Sequence, residues 1–195
     1  MGPMDQTSDE DLMLRIQQSS DKDAFAELFD RYRCRITSYA TRLVGNRGEG
    51  ENLAQETFLR VLEKGHLYSH PRRFSTWVFT IARNLVTDFQ KKKRAITSES
   101  FDLMADAQHD NESHRPDVSV MREETTRALT AAIDGLPQQY REVLILRAFY
   151  DMSYREISDI VACPESTARS RMDYAVKELK KFYRRLGGQK TDENS

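Results

Sequence analysis

The stretch "SYREISDIVACPESTARSRMDYAVKELKKFYRR", residues 153–185, carries the local pattern that decides the fold of the C-terminal half. Ser153, followed three residues later by Glu156, forms a capping box that predicts the start of a short helix. A tight turn, "ACP", comes next, and Pro164 suits the first turn of a longer helix. This spacing is typical of a helix-turn-helix, although helical hairpins with no DNA role share it.

The longer helix has two different faces when its residues are placed at 100° steps. The side expected to face the core consists of Ala168, Met172, Ala175, Leu179 and Leu186. The opposite side mixes donors, acceptors and cations, as direct reading of base edges in a major groove requires, and basic residues farther along suit phosphates. The outward or flanking residues are Ser166, Arg169, Ser170, Asp173, Tyr174 and Lys177, and the phosphate candidates are Lys180, Lys181, Arg184 and Arg185.

Apolar residues at steps of three and four predict helices through most of the remaining chain. Thr7 and Glu10 are expected to cap a short first helix, and longer helices follow at residues 22–44, 48–64 and 72–93. The expected core residues are Phe25, Leu28, Phe29, Tyr32, Ile36, Tyr39, Ala40, Leu43, Ala54, Phe58, Val61, Leu62, Phe74, Trp77, Val78, Ile81, Ala82, Leu85 and Phe89. A later helix carries Tyr140, Val143, Leu144, Leu146 and Phe149.

Composition predicts two small cores rather than one. The chain has 195 residues of which 38% are hydrophobic, and residues 95–120 lose periodicity and become polar. We therefore expect an all-α protein with a helical domain at residues 1–94, a flexible acidic linker at 95–120, a second helical domain at 121–187 and a disordered tail at 188–195.

Charge is uneven, although the formal net charge is only -1. Residues 83–94 hold five Lys or Arg against one Asp, and residues 165–185 hold seven against three acids, so each stretch carries +4. Residues 95–120 hold one Arg against six acids, a charge of -5. Two basic patches suggest contacts with a polyanion at two places, and the alternative is that they are solvated helix faces.

Several classes of protein are disfavoured by the sequence. No run of about 18 uncharged apolar residues and no signal pattern is present, so a cytoplasmic protein without a membrane span is expected. Cys34 and Cys163 lack CxxC spacing, and the pair His66 and His70 has Pro71 beside it and no acidic ligands. Because no constellation of carboxylates or His/Asp suits a nuclease, we expect no catalytic residues, metal or cofactor.

The polar face of the predicted helix 72–93 suggests a second nucleic-acid surface. Thr76, Thr80, Arg83, Thr87 and Gln90 are expected to form an outward stripe with Asn84 at its flank, and "HLYSHPRR" precedes them. Aromatic rings return about 1–3 kcal/mol per stacked base, so Tyr68, His66 or His70 could hold an unpaired base. The alternative is that Tyr68 and Phe74 only close the loop over the core.

Four ordered blocks resemble bacterial RNA polymerase sigma factors of the extracytoplasmic-function (ECF) type. They are "NLAQETFLRVLEK", "FSTWVFTIARNLVTDF", "GLPQQYREVLILRAFYDMSYREIS" and "CPESTARSRM", and the resemblance covers residues 20–94 and 121–182. It implies sigma domains 2 and 4, joined by a linker that threads toward the active-site and RNA-exit region of the polymerase. It also implies a dissociable initiation subunit that binds core RNA polymerase and promoter DNA and is held by an anti-sigma factor.

The resemblance assigns roles to three sets of residues. The block expected to bind the clamp helices of the largest polymerase subunit contains Asn52, Leu53, Gln55, Glu56, Leu59 and Arg60; Leu53 and Leu59 lie off the core stripe, and the alternative is that they pack on the first helix. The set expected to recognise and melt the −10 element is Tyr68, His70, Arg72, Arg73, Thr76, Thr80, Arg83, Asn84, Thr87, Lys91 and Lys92. The −35 set is Tyr154, Arg155, Ser166, Thr167, Arg169, Ser170, Arg171, Asp173, Tyr174 and Lys177.

The resemblance also implies that the second domain meets the flap region of the polymerase. Two departures from the family pattern bear on specificity. Asp173 and Tyr174 stand where the family often has a basic or aromatic pair, and Asn52 stands where it often has Asp. Other functions remain open from the residues alone. A helix-turn-helix regulator would act on duplex DNA without melting but leaves residues 48–93 unexplained, and an interaction protein would be recognised by DNA binding that does not survive without polymerase.

Overall fold

The computed structural model describes residues 7–69, 71–99 and 128–192 of the chain. These residues form helices and turns, with no strand among them, which confirms the all-α fold class. The chain divides into two compact units, Met1–Asp110 and Asn111–Ser195, here called the first and the second unit.

Within the described residues, the first unit consists of four α-helices and one short 3-10 turn. They are α1 (Asp9–Ser19), α2 (Lys22–Val44), α3 (Arg47–Lys64), the 3-10 turn (Gly65–Leu67) and α4 (Phe74–Glu99). Asp21 and Asn46 accept backbone N–H bonds as the N-caps of α2 and α3. Gly45 ends α2 with φ 72°, a left-handed conformation that glycine adopts without steric cost. Both ends of α2 and the start of α3 therefore have a local cause in the sequence.

The predicted cap of α1 needs correction. Ser8, not Thr7, is the N-cap, and its hydroxyl accepts the backbone N–H of Asp11 at 3.0 Å. Glu10 is instead bonded far along the chain, because its carboxylate accepts the backbone N–H of Phe74 at 2.9 Å. Phe74 is the first residue of α4, so Glu10 satisfies one of the donors that a helix N-terminus leaves open.

The core of the first unit follows most of the predicted apolar stripe. Phe25 and Phe29 are only half-buried and pack by their edges with Phe58, at ring-centre distances of 6.5 and 4.8 Å. Leu62, predicted to be buried, is 50% exposed. The predicted core residues that are buried are Leu28, Tyr32, Ile36, Tyr39, Ala40, Leu43, Ala54, Phe58, Val61, Phe74, Trp77, Val78 and Ala82. Ile81, Leu85 and Phe89 are half-buried, whereas Phe79 and Val86 are buried without having been predicted.

Gly50 sets the distance between α2 and α3. A Cβ atom added to Gly50 would lie 2.8 Å from the backbone N and Cα of Thr41, closer than real Cβ atoms come to any neighbour. The backbones of the two helices therefore touch at this point, which only a residue without a side chain permits.

The second unit contains the predicted helix-turn-helix. Residues 128–134 form a helical segment, α5, followed by α6 (Gln138–Tyr150), α7 (Tyr154–Val161) and α8 (Glu165–Asp192). Ser153 accepts the N–H of Glu156, and the side chain of Glu156 accepts the N–H of Ser153, which confirms the capping box. Val143, Leu144, Leu146, Ala168 and Ala175 are buried as predicted, Tyr140, Met172 and Leu179 pack against that core, and Phe149 is exposed.

Two helices are longer than predicted. α4 continues through residues 95–99, where we expected the linker to begin, and α8 continues to Asp192, where we expected a disordered tail from residue 188. Neither extension contains proline, so the i to i+4 backbone bonds continue until the helix frays. The remainder of the predicted linker, residues 100–120, lies outside the described residues. Within the described residues, no helix is both long enough and apolar enough to cross a membrane.

We predict that Gly50→Ala lowers the unfolding free energy of the first unit by about 1–3 kcal/mol, because the added methyl group forces α2 and α3 apart. Urea denaturation followed by the fluorescence of Trp77, the single tryptophan, measures this change. Gly48→Ala is the matched control on the same helix, since a Cβ atom there would meet only the side chain of Asn46 at 3.4 Å. Equal stability of the two variants would show that the contact with Thr41 does not constrain the packing.

Candidate functional site

The outward face of α3 carries most of the residues assigned to polymerase binding. Asn52, Gln55 and Leu59 are exposed, and Leu59 is 54% exposed despite its apolar side chain. Leu62 was not predicted to belong to this face, because the apolar stripe placed it in the core. It is 50% exposed and is the second exposed leucine on this face. Leu59 and Leu62 lie three residues apart, so they share one face of α3 and expose two apolar side chains next to each other.

Leu53 does not belong to that outward face. It is 9% exposed, so the expectation that it lies off the core stripe is wrong. The neighbouring residues Glu56 and Arg60 are half-buried and form an ion pair of 2.8 Å, with Glu63 3.8 Å from the same guanidinium. The hydrogen bond from Arg60 to Glu56 raises the pKa of Arg60, which therefore stays charged.

Tyr68 is part of the core rather than a free stacking platform. It is 6% exposed, its ring centre lies 5.3 Å from that of Trp77, and its hydroxyl donates to the carbonyl of Arg72 at 2.5 Å. Burial raises the pKa of Tyr68 to about 12, so the phenol stays protonated and keeps this bond. The alternative interpretation, that Tyr68 and Phe74 close the loop over the core, is therefore correct.

The polar stripe predicted on α4 is only partly exposed. Thr76 is buried, and its carbonyl accepts the hydroxyl of Thr80 at 2.7 Å. Gln90 donates to the carbonyl of Leu43 at 2.9 Å and so ties α4 to the end of α2. Thr80, Arg83, Thr87 and Gln90 are half-buried, whereas Arg72, Arg73, Asn84, Lys91 and Lys92 are exposed. His70 lies outside the described residues.

An open cleft of about 770 Å³ lies between α1 and the loop before α4. Its lining includes Tyr68, Arg73 and Ser75 on the loop side and the acidic residues Asp9, Glu10 and Asp11 on the other. Of these acidic residues, only Glu10 was predicted to have a role, as part of a helix cap. Its place beside the loop could not be read from a local pattern, since the two segments are about 60 residues apart in the chain.

The −35 candidates are brought together on the N-terminal half of α8 and the start of α7. Arg155, Ser166, Arg169, Ser170, Asp173, Tyr174 and Lys177 are exposed, and Tyr154, Thr167 and Arg171 are half-buried. Tyr174 is less free than predicted, because its ring stacks on Tyr140 of α6 with centres 4.1 Å apart. Most of the predicted reading face is therefore available to a ligand, although one of its rings also ties α8 to α6.

Arg169 is held by two neighbours on this face. Its guanidinium lies over the ring of Tyr154, 4.5 Å from the ring centre, and its Nη2 atom is 2.5 Å from a carboxylate oxygen of Glu165. Lys181, farther along α8, pairs with Glu178 at 2.7 Å. Both cations thus have local partners, yet both side chains remain about half exposed.

Metal chemistry receives no support from the part of the chain that the structure describes. Residues 7–69, 71–99 and 128–192 contain no group of three or more His, Cys, Asp or Glu side chains that could hold a metal ion. Cys34 is exposed and Cys163 is half-buried, and both are free thiols.

Comparison with known families identifies matches in both units. The model for Sigma-70 region 2 matches residues 28–96, and the model for Sigma-70 region 4 matches residues 126–179. The first match covers most of α2, all of α3 and most of α4, and the second reaches from before α5 into α8. The outward face of α3 therefore lies in the first matched region, and the exposed face of α8 lies in the second.

Individual relatives match along nearly the whole chain. The ECF RNA polymerase sigma factor SigW of Bacillus subtilis is 32% identical over 180 residues, covering 88% of this chain and 96% of the relative. The ECF RNA polymerase sigma factor RpoE of Cereibacter sphaeroides is 33% identical over 171 residues, covering 87% and 91%. Among solved structures, the sigma factor RpoE in complex with the anti-sigma factor NepR from Bartonella quintana has a similar fold, with a TM-score of 0.68, 22% identity, and coverage of 84% of this chain and 98% of that chain.

We predict that Tyr68→Phe lowers the unfolding free energy of the first unit by about 0.5–1.5 kcal/mol, because the hydrogen bond to the carbonyl of Arg72 is lost while the ring packing is kept. Urea denaturation followed by Trp77 fluorescence measures the change. Tyr183→Phe is the control, since Tyr183 is 71% exposed. If Tyr68→Phe is as stable as the unmodified protein, the hydroxyl makes no stabilising bond.

Proposed function

This chain belongs to the ECF sigma factors of RNA polymerase, and we propose that it reads the −35 promoter element with α8 and the −10 element with the loop and basic face of α4. A sigma factor is a transcription initiation factor and not an enzyme. Its work is to bring core polymerase to promoter DNA and to help open the duplex. Each unit then contributes a surface to one task.

The observation that carries the proposal is the exposed N-terminal half of α8. Arg169, Ser170 and Asp173 stand on its open face, and the turn before it is fixed by the left-handed backbone of Ala162 and by bonds to the carbonyl of Pro164. A fork of donors, a hydroxyl and a carboxylate offer the functional groups that distinguish base pairs in a major groove. Lys181 and its neighbours, farther along, suit the phosphate backbone.

The proposed −10 surface combines cations from two places, the loop before α4 and the basic C-terminal part of α4. Arg72 and Arg73 are exposed beside the cleft, and Lys91 and Lys92 are exposed on α4. Cations attract the phosphates of a separated strand, and Asn84 offers an amide for base edges. Because Tyr68 is buried, we do not assign base stacking to it. A flipped base would be held by the loop and the cleft instead.

The proposed polymerase surface is the outward face of α3. Gln55, Leu59 and Leu62 give it an amide and two exposed apolar side chains, and the pair Glu56 and Arg60 supplies charge beside them. Such a mixture suits a helical partner, in agreement with the clamp helices of the largest subunit. The flap region is the proposed contact of the second unit.

Regulation and location follow from the same family membership. The solved structure from Bartonella quintana holds its sigma factor with an anti-sigma factor. We propose that an anti-sigma factor restrains this chain too, by covering surfaces that polymerase needs, and that the protein acts in the cytoplasm with the polymerase. A helix-turn-helix regulator that works without polymerase remains the second candidate, and it gives no role to the outward face of α3.

Transcription by core RNA polymerase on a library of promoters, with and without this chain, tests the proposal. We expect the chain to direct initiation from a subset of promoters that share −35 and −10 sequences. Duplex binding by the chain alone, with no effect on polymerase, would favour the regulator instead.

We predict that Gln55→Ala combined with Leu59→Ala weakens binding to core polymerase about tenfold, because it removes an exposed amide and an exposed apolar side chain from α3. Binding of labelled chain to core polymerase measures the effect, and circular dichroism checks the fold. Leu14→Ala is the control, since Leu14 is also about half exposed, at 48%, but lies on α1. Unchanged affinity of the double variant would remove α3 from the polymerase interface.

We further predict that Arg169→Ala and Lys181→Ala fail in different ways. Arg169→Ala should cost about 1–3 kcal/mol at preferred promoters and relax base choice at one −35 position, because a base contact is lost. Lys181→Ala should weaken all promoters alike and reduce the salt slope by about one, because a phosphate contact is lost. Holoenzyme binding to a −35 library at several salt concentrations measures both. Indistinguishable profiles would mean that α8 does not read bases through Arg169.

A further inference from the structure

Tyr154 contacts the side chain of Arg169 and can therefore control how Arg169 binds DNA, although Tyr154 itself contacts no base. We infer that the ring of Tyr154 is the platform that orients the Arg169 guanidinium for reading one base pair of the −35 element. Tyr154 is then a positioning residue for promoter specificity. This inference rests on the proposed function, since it explains how the base contact assigned to Arg169 is made selective.

The contact between the two side chains suits this role. The guanidinium carbon of Arg169 lies over the ring at 4.5 Å from its centre, well inside the distance of about 6 Å at which a cation is attracted to an aromatic face. The Arg169 side chain is nevertheless 58% exposed. It is therefore held at one face while its other sides remain open to a ligand.

The second neighbour of Arg169 acts differently. Glu165 binds Arg169 through an N–H group, at 2.5 Å from Nη2, and the pair is exposed on one turn of α8. A base pair read by arginine needs those N–H donors, since the fork binds two acceptors of guanine at once. Glu165 engages one of the five N–H donors of the guanidinium, so the other donors can still form the fork that binds a base, and Tyr154 occupies only the face of the guanidinium.

The ring itself is fixed relative to α8. Tyr154 is the first residue of α7, and the capping box of Ser153 and Glu156 fixes that helix start. Arg147 of α6 lies 5.6 Å from the same ring centre and donates to the carbonyl of Met152 at 2.9 Å, which holds the chain just before Ser153. A tyrosine ring has only two side-chain dihedrals, so a platform built this way loses little freedom when DNA binds.

Loss of the ring should affect selectivity more than attraction to DNA. Without Tyr154 the guanidinium keeps its charge and still attracts phosphates, but it samples more orientations before binding. Preorganisation favours the one geometry in which both N–H groups meet a base. The expected signature is thus lower discrimination at a single −35 position with similar overall binding.

The test compares holoenzymes carrying Tyr154→Leu, Tyr154→Phe or Tyr183→Leu on a −35 library. Tyr154→Leu should reduce discrimination at the position read by Arg169 by about fivefold, the size of an exposed cation–π contact of about 1 kcal/mol. Tyr154→Phe keeps the ring face and should retain discrimination. Tyr183→Leu removes an exposed aromatic from α8, the helix that carries Arg169. Tyr183 is 71% exposed, and this variant should leave discrimination unchanged.

A double variant shows whether Tyr154 acts through Arg169. Tyr154→Leu together with Arg169→Ala should discriminate no worse than Arg169→Ala alone, because the platform has nothing left to orient. Glu165→Gln should keep discrimination, since Glu165 bonds a single N–H group and the remaining donors can form the base-reading fork. Three results would overturn the role of the ring. Tyr154→Leu could weaken all promoters equally, Tyr154→Leu could change nothing, or Glu165→Gln could lose discrimination.

Failure of the proposed function is separable from failure of this inference. If Arg169→Ala leaves base choice unchanged, the assignment of Arg169 itself is wrong, and the role of Tyr154 falls with it. If Arg169→Ala relaxes base choice and Tyr154→Leu does not, only the role of Tyr154 is wrong. Should Tyr154→Leu disturb folding by circular dichroism, Tyr154→Met replaces it, because methionine fills the space without an aromatic face.

Discussion

The close approach of α2 and α3 at Gly50 and Thr41 is the constraint on which the first unit depends. A side chain at Gly50 would come within 2.8 Å of the Thr41 backbone, so at this point the two helices meet backbone to backbone. Because one side of α3 is pressed against α2 in this way, Ala54, Phe58 and Val61 are buried and only the opposite arc stays open. The helix contact thereby decides which residues of α3 a partner can reach.

In the second unit, left-handed turns follow the ends of α6 and α7. Asp151 and Ala162 adopt φ of 51° and 52°, a left-handed conformation that costs an ordinary residue about 1–2 kcal/mol, and each follows the end of a helix. These turns bring the ends of α6, α7 and α8 together. They also place Tyr154 and Arg169 in contact, although the two residues belong to different helices. The geometry of the turns thus sets the contact between Tyr154 and Arg169 on the surface that we propose reads the −35 element.

Local patterns predicted most of the helices and the capping box at Ser153, because periodicity and caps depend on neighbours a few residues away. The errors concern contacts between distant segments. Leu53 and Thr76 are buried because another helix covers them, and no pattern within their own helix indicates which flank is covered. Tyr68 is in a loop, where periodicity carries no information, and the partner of Glu10 is 64 positions away. For the candidate site, the exposed face of α8 was predictable, but the contact between Tyr154 and Arg169 required the turn geometry.

The attachment of α1 ties the start of the chain to the mobility of the loop before α4. Asp9 pairs with Arg31 of α2, Glu10 accepts the N–H of Phe74, and Gln17 donates to the carbonyls of Gly65 and Tyr68 at 2.8 and 2.7 Å. If α1 detached, these backbone groups would all lose their partners at the same time. We therefore expect α1 and the loop to open as one cooperative segment in native-state fluctuations. The docking of α1 thus stabilises the shape of the loop that carries Arg72 and Arg73, and with it the surface that we propose for the −10 element.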